Sequence, residues 1–120
     1  MRSVILIRGS IALVWLYQGL WCKLLAREPR HQAVVGAVPF LTAAQSHAAL
    51  LSLGLFEVLL AVWVISGRLA LQAALVQTAL LLLMNGGGVI WARRIIPDAA
   101  GMLFQNLAFV MLAWVAAGVL

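Results

Sequence analysis

Long apolar runs alternate along this chain with short polar breaks, and the pattern predicts four membrane-crossing helices over about residues 4–23, 48–66, 69–91 and 101–120. Each run is close to the roughly 20 residues that a helix needs to cross about 30 Å of hydrocarbon. Ser66-Gly67-Arg68 is a tight turn, which makes the second and third spans antiparallel neighbours. Arg93 and Arg94 close the third span, and Pro97-Asp98 marks the turn into the fourth. Between the first two spans hydropathy falls, and Pro29 and Pro39 bracket a segment, Arg30 to Val38, that suits a short helix with Pro29 in its first turn. Its residues Val34, Val35 and Val38 suit a helix lying in the interface plane, and an ordinary loop is the equal alternative. The expected fold is therefore all-α: a single transmembrane domain over 1–120, a polytopic four-helix bundle with a short interfacial helix between the first and second spans.

Composition leaves no room for a soluble domain. Of 120 residues, 66% are hydrophobic and 9% charged, against about half and about 25% in globular chains. The net charge of +5 would suggest nucleic acid in a soluble protein. Here the basic residues gather at the ends of apolar runs, where they meet anionic headgroups, so the expected partner is the lipid bilayer and no nucleic acid. The first apolar run is too long for a signal-peptide core, and Leu24-Leu25-Ala26-Arg27 lacks a small-x-small cleavage site, so it reads as a retained helix. Cys22 is the sole cysteine, which excludes an internal disulfide and a Cys-x-x-Cys relay. Basic residues number three on the side of the termini (Arg2, Arg8, Arg68) and five on the other, a distribution that favours both termini outside.

The chemistry concentrates in a few polar residues inside the spans. At 100° per residue, Arg8, Ala12, Trp15, Gly19 and Lys23 fall on one stripe of the first helix, a face that only a polar interior would accept. Glu57 lies about nine residues from the Arg68 end of its helix, Arg8 enters from the same side, and Gln77 lies at nearly the same depth, so an intramembrane Arg8, Glu57 and Gln77 cluster is expected. Towards the opposite face, Lys23 is expected to meet Gln105 or Asn106. Such groups serve equally well as interhelical glue or as a site, because a buried ion pair is weak evidence for stability and a carboxylate in low dielectric exchanges protons. Trp15, Tyr17 and Gly19 are candidate lining for a flat ring, whereas the remaining tryptophans read as interface anchors. The run Asn85-Gly86-Gly87-Gly88 is expected to let another helix approach closely, with a local helix break as the alternative. His31 and His47 lie on one membrane face, so no haem or metal site is expected, and no catalytic set or phosphate loop is evident.

The stretch from Arg8 through Trp15-Leu16-Tyr17-Gln18-Gly19 to Lys23-Leu24 resembles the opening of the DoxX-like membrane proteins, an early Arg followed by W-x-Y-x-G-x-x-x-K-L. Gly54-Leu55-Phe56-Glu57 resembles that family's G-x-x-E segment, and Gln105-Asn106 stands where its polar pair, often Lys-Asn, occurs in the last helix. The resemblance implies a four-helix membrane bundle with Arg8, Lys23, Glu57 and Asn106 as its polar positions. Gln105 in place of the commoner lysine removes a charge. Relatives associated with a thiosulfate:quinone oxidoreductase, or fused to soluble oxidoreductases, imply an accessory or quinone-contacting subunit of a membrane redox system in the bacterial cytoplasmic membrane, with a membrane or soluble oxidoreductase as partner. Such fusions imply a cytoplasmic N-terminus, against the charge count, and orientation stays open. No cofactor is expected in the chain itself, quinone being the candidate ligand, and no self-contained catalytic or redox centre is seen. Two alternatives stand beside this reading: an assembly protein without a small-molecule ligand, including self-association into a homo-oligomer, and a small proton-coupled transporter that uses Glu57.

Overall fold

The computed structural model describes residues 2–119, without the side chain of Arg2. Its order is α1 (Arg2–Leu16), which continues without a break as a π-helix (Tyr17–Leu24), then α2 (Pro29–Gly36), α3 (Ala43–Ser66), α4 (Ala70–Trp91) and α5 (Ala99–Ala116). Four helices are long and apolar enough to cross a membrane: Ser3–Leu24, Ala43–Ser66, Ala70–Trp91 and Ala99–Ala116. The long axis is 45 Å, which matches a bilayer of about 40–45 Å including headgroups.

Local chemistry sets most boundaries. The helix of the second span begins at Ala43, five residues before the expected Ala48, because Thr42 and Gln45 form a capping box. Thr42 Oγ1 accepts from the Gln45 backbone N–H at 3.1 Å, and Gln45 Oε1 accepts from the Thr42 N–H at 3.0 Å. Its end is fixed by Gly67, whose φ of 70° few other residues adopt cheaply. Asp98 caps α5, its Oδ1 accepting from the Gly101 N–H at 3.0 Å. The helix of the fourth span closes at Ala116, and the expected end at residue 120 lies outside the described residues. Pro29 opens α2 as expected, Glu28 caps it with a carboxylate oxygen accepting from the Arg30 N–H, and the helix closes at Gly36, two residues before the expected Val38.

The spans form a ring in which α1 packs on α3 and α5, α3 on α4, and α4 on α5. Ile11, Trp15, Leu60, Leu80, Leu81 and Ala113 make a closed core in the half nearer the termini. In the other half the π stretch packs only on α3 and α2 among the described elements, and stands clear of α4 and α5. α2 closes that end by resting on α3, the π stretch and α4. The glycine run lies within an unbroken α4. No neighbour comes near a Cβ added at Gly86, and at Gly87 the nearest is the α4 helix's own Trp91 ring. The expected close helix approach lies instead between the first and second spans.

Candidate functional site

That approach is the crossing of Gly19 and Gly54. A Cβ at Gly19 would stand 2.5 Å from the Gly54 carbonyl oxygen, and one at Gly54 would stand 2.9 Å from the Gly19 carbonyl oxygen. Only glycine lets two backbones come this close. The π-helical turn, carried by i to i+5 bonds such as Leu25 N–H to Leu20 O at 2.8 Å, keeps Trp15, Gly19, Cys22 and Lys23 all buried. It ends at Leu24, and two residues on, the left-handed φ of 52° at Ala26 turns the chain out of the span.

The ion pair of the site sits directly beside this crossing. Lys23 Nζ lies 2.6 Å from Glu57 Oε1, with side chains 4% and 0% exposed. The ammonium also reaches the Gln18 carbonyl oxygen at 3.5 Å, while Glu57 Oε2 has no donor among the described residues. The expected pairing of Glu57 with Arg8 is therefore corrected. Arg8 lies against Gly67, ten residues along α3 from Glu57, or about 15 Å. Near the end of its span its long stem carries the guanidinium outward and not inward. Gln77 does not meet Glu57 either. Its Oε1 accepts from Trp15 Nε1–H at 2.9 Å, and its Nε2 donates to Ala73 O.

Of the second expected cluster, Lys23 is held by Glu57, while Asn106 Nδ2 donates to Asn85 Oδ1 at 2.7 Å. Asn85 in turn donates to Leu81 O at 2.7 Å. Gln105 is exposed beside them. Asn85 had been read only as the head of the glycine run. Its position, just under two turns from the end of α4 and facing the polar pair of α5, is the available signal.

Where the π stretch leaves α4 and α5, a cleft of about 860 Å³ opens. Trp15 and Phe109, in edge-to-face contact with centroids 5.5 Å apart, border it at depth. Phe40 and Trp91, 5.4 Å apart in the same geometry, border it near α2. Its polar groups are Lys23, Asn85, Asn106, Gln105, Gln18 and His31, with Arg30 and Asp98 as further charges. Of the three residues expected to line a ring pocket, Trp15 does so. Tyr17 is 54% exposed on the outer surface, and Gly19 faces Gly54. Glu57 lies behind Lys23, and the lysine is what borders the cleft.

His31, on α2 outside the spans, has its pKa pushed down to about 4, first by burial and then by the neighbouring Lys23 charge, with Arg30 acting the same way and Glu28 opposing. It is a neutral imidazole at pH 7, able to donate from one ring nitrogen and accept at the other. Among the described residues no three His, Cys, Asp or Glu side chains converge.

The DoxX-like family model matches residues 12–114, nearly the whole chain and every residue of this site. No curated protein and no solved structure matches it.

Proposed function

The chain belongs to the DoxX-like family, and from that premise and the cleft we propose that this multi-pass membrane protein is a quinone-contacting accessory subunit of a membrane redox system. The observation that carries the reading is the lining of the 860 Å³ cleft: two aromatic pairs with a few convergent donors, the composition expected of a pocket for a flat, largely apolar ring with polar edges. A quinone ring presents two carbonyl acceptors. The Lys23 ammonium, the remaining amide hydrogens of Asn85 and Asn106 and the His31 imidazole are donors of the matching kind. The electrons would come from a partner oxidoreductase in the bacterial cytoplasmic membrane, since this chain offers ring contacts and hydrogen bonds.

The test is titration of the purified protein with decyl-ubiquinone, followed by quenching of tryptophan fluorescence, because Trp15 and Trp91 both border the cleft. Saturable quenching at one ring per chain is expected. Asn106→Leu, which removes a donor but leaves the ion pair in place, should weaken binding about five- to tenfold, the worth of one hydrogen bond of about 1 kcal/mol. Quenching that never saturates, or that is equal in the variant, removes the ligand reading. It would leave the assembly reading, which the Lys23–Glu57 pair beside the glycine crossing supports independently as a device for fixing which helices meet.

A further inference from the structure

Arg8 is left over by everything above. It borders no part of the cleft, it stands four residues before the stretch 12–114 that the family model matches, and among the described residues it has no acidic partner. The chain has three carboxylate side chains, and all are engaged elsewhere. Glu57 faces Lys23, Glu28 faces Arg30, and Asp98 caps α5. Yet the Arg8 guanidinium is not simply dissolved in water. Its Nε is buried without a hydrogen-bond partner among the described residues, and its end is packed so closely on Gly67 that a Cβ there would collide with it. Arg8, Arg68, Trp63, Gly67 and Gln77 surround a second, small cavity of about 20 Å³ where the α3–α4 turn meets the ends of α1 and α5.

A buried guanidinium nitrogen without an acceptor costs free energy that an anion would recover. The cavity's volume and place narrow the choice. It exceeds the roughly 10–15 Å³ that one water-sized atom needs, so it admits one oxygen and not a whole tetrahedral group. It also lies level with the span ends at Ser66, Ala70 and Ala116, the depth of the lipid headgroups. The guanidinium fork suits phosphate oxygens, and a second cation stands beside it.

We propose that Arg8 and Arg68 form an oxyanion site that takes one oxygen of a phosphate group with net negative charge, from an anionic lipid headgroup or free phosphate and not from a headgroup neutralised by its own cation, with the rest of the group outside in the headgroup layer. The site is on the opposite side of the membrane from α2 and is independent of the quinone reading.

The full-length protein, in nonionic detergent and phosphate-free buffer, is titrated with short-chain phosphatidylglycerol, short-chain phosphatidylcholine or inorganic phosphate. Retained adducts are counted by native mass spectrometry, and the thermal midpoint is followed in parallel. One phosphatidylglycerol per chain should be retained in preference to phosphatidylcholine, with a rise in the midpoint. Each of Arg8→Gln and Arg68→Gln should weaken retention about fivefold, as expected for one basic residue at an anionic surface, while Arg8→Lys keeps part of it. Equal stabilisation by inorganic phosphate would support the site and assign its source to solution. Equal retention of both lipids with no response to inorganic phosphate, or undiminished phosphatidylglycerol binding in Arg68→Gln, would overturn it. Arg68 is exposed, so its variant keeps the test readable if Arg8→Gln does not fold.

Discussion

Replacing Lys23 with methionine keeps most of the side chain's stem and deletes its charge, which isolates what the ion pair does. At 2.6 Å and an effective dielectric of about 20, the gross attraction is about 6 kcal/mol. Desolvation of two ions, at several kcal/mol each, cancels most or all of that. The pair is therefore near break-even as a whole but costly to halve. Glu57 is 0% exposed and its Oε2 already lacks a donor, so Lys23→Met should destabilise the bundle by about 3–5 kcal/mol. Glu57→Leu should do the same by stranding the ammonium. The double variant, with an apolar pair in the same space, should return to within about 1 kcal/mol of wild type. The assay is equilibrium unfolding in mixed micelles with rising dodecyl sulfate, read by circular dichroism and tryptophan fluorescence for all four proteins. Single variants that cost less than about 1 kcal/mol, or a double variant that costs the sum of the two, would refute the argument that the charges are coupled and desolvated.

At the glycine crossing, Gly19→Ala puts a methyl 2.5 Å from one backbone atom and 3.0 Å from another, neither able to turn aside, and should cost about 1–3 kcal/mol. Gly86→Ala meets open space and should be neutral or stabilise by up to about 1 kcal/mol; equal thermal midpoints for the two variants would contradict the assignment of the close contact. His31 makes the docking of α2 depend on pH. Its pKa is lowered when docked, to about 4, so below the ordinary value near 6.5 the undocked helix binds the extra proton. Docking is therefore at full strength above about 6.5 and weakens as pH falls towards 4, by about 1 kcal/mol after allowance for the ring's partial exposure. Hydrogen exchange across residues 25–42 should quicken relative to the spans over that interval, and His31→Gln should abolish the change; a wild-type rate ratio that does not vary with pH would count against it.

The spans were legible because hydropathy and helix length are additive along the chain, and the stripe of α1 was legible because its period survives into the π stretch at Trp15, Gly19 and Lys23. The partner of Glu57 was not. Depth counted by residue number placed Arg8 within reach, but direction decides the matter. Arg8 turns outward to the Gly67 turn, while Lys23 and Glu57, each about one turn along its own helix from Gly19 or Gly54, meet beside the paired glycines. Those two glycines were visible only as separate short motifs, since a crossing belongs to two helices at once. The start of α3 was readable from Thr42 and Gln45, three residues apart in the capping-box pattern, but falling hydropathy around His47 outweighed it. The Asn85–Asn106 bond and the cleft depend on how far α4 and α5 stand from α1, a distance that no single-helix pattern encodes.

The placement of the closest contact between the first two spans has a consequence for biogenesis. Gly19, Lys23, Gly54 and Glu57 all lie before Ser66, so the tightest part of the molecule is complete in sequence when little more than half of the chain has left the ribosome. Chains are made from the N-terminus at about 5–20 residues per second. For a few seconds α1 and α3 can dock and neutralise each other's charges with no other helix present. The α4–α5 hairpin then arrives at a finished scaffold, and its docking creates the cleft. A nascent chain arrested after the first two spans should already protect Lys23 from amine-modifying reagents, with the far wall of the cleft still to be added.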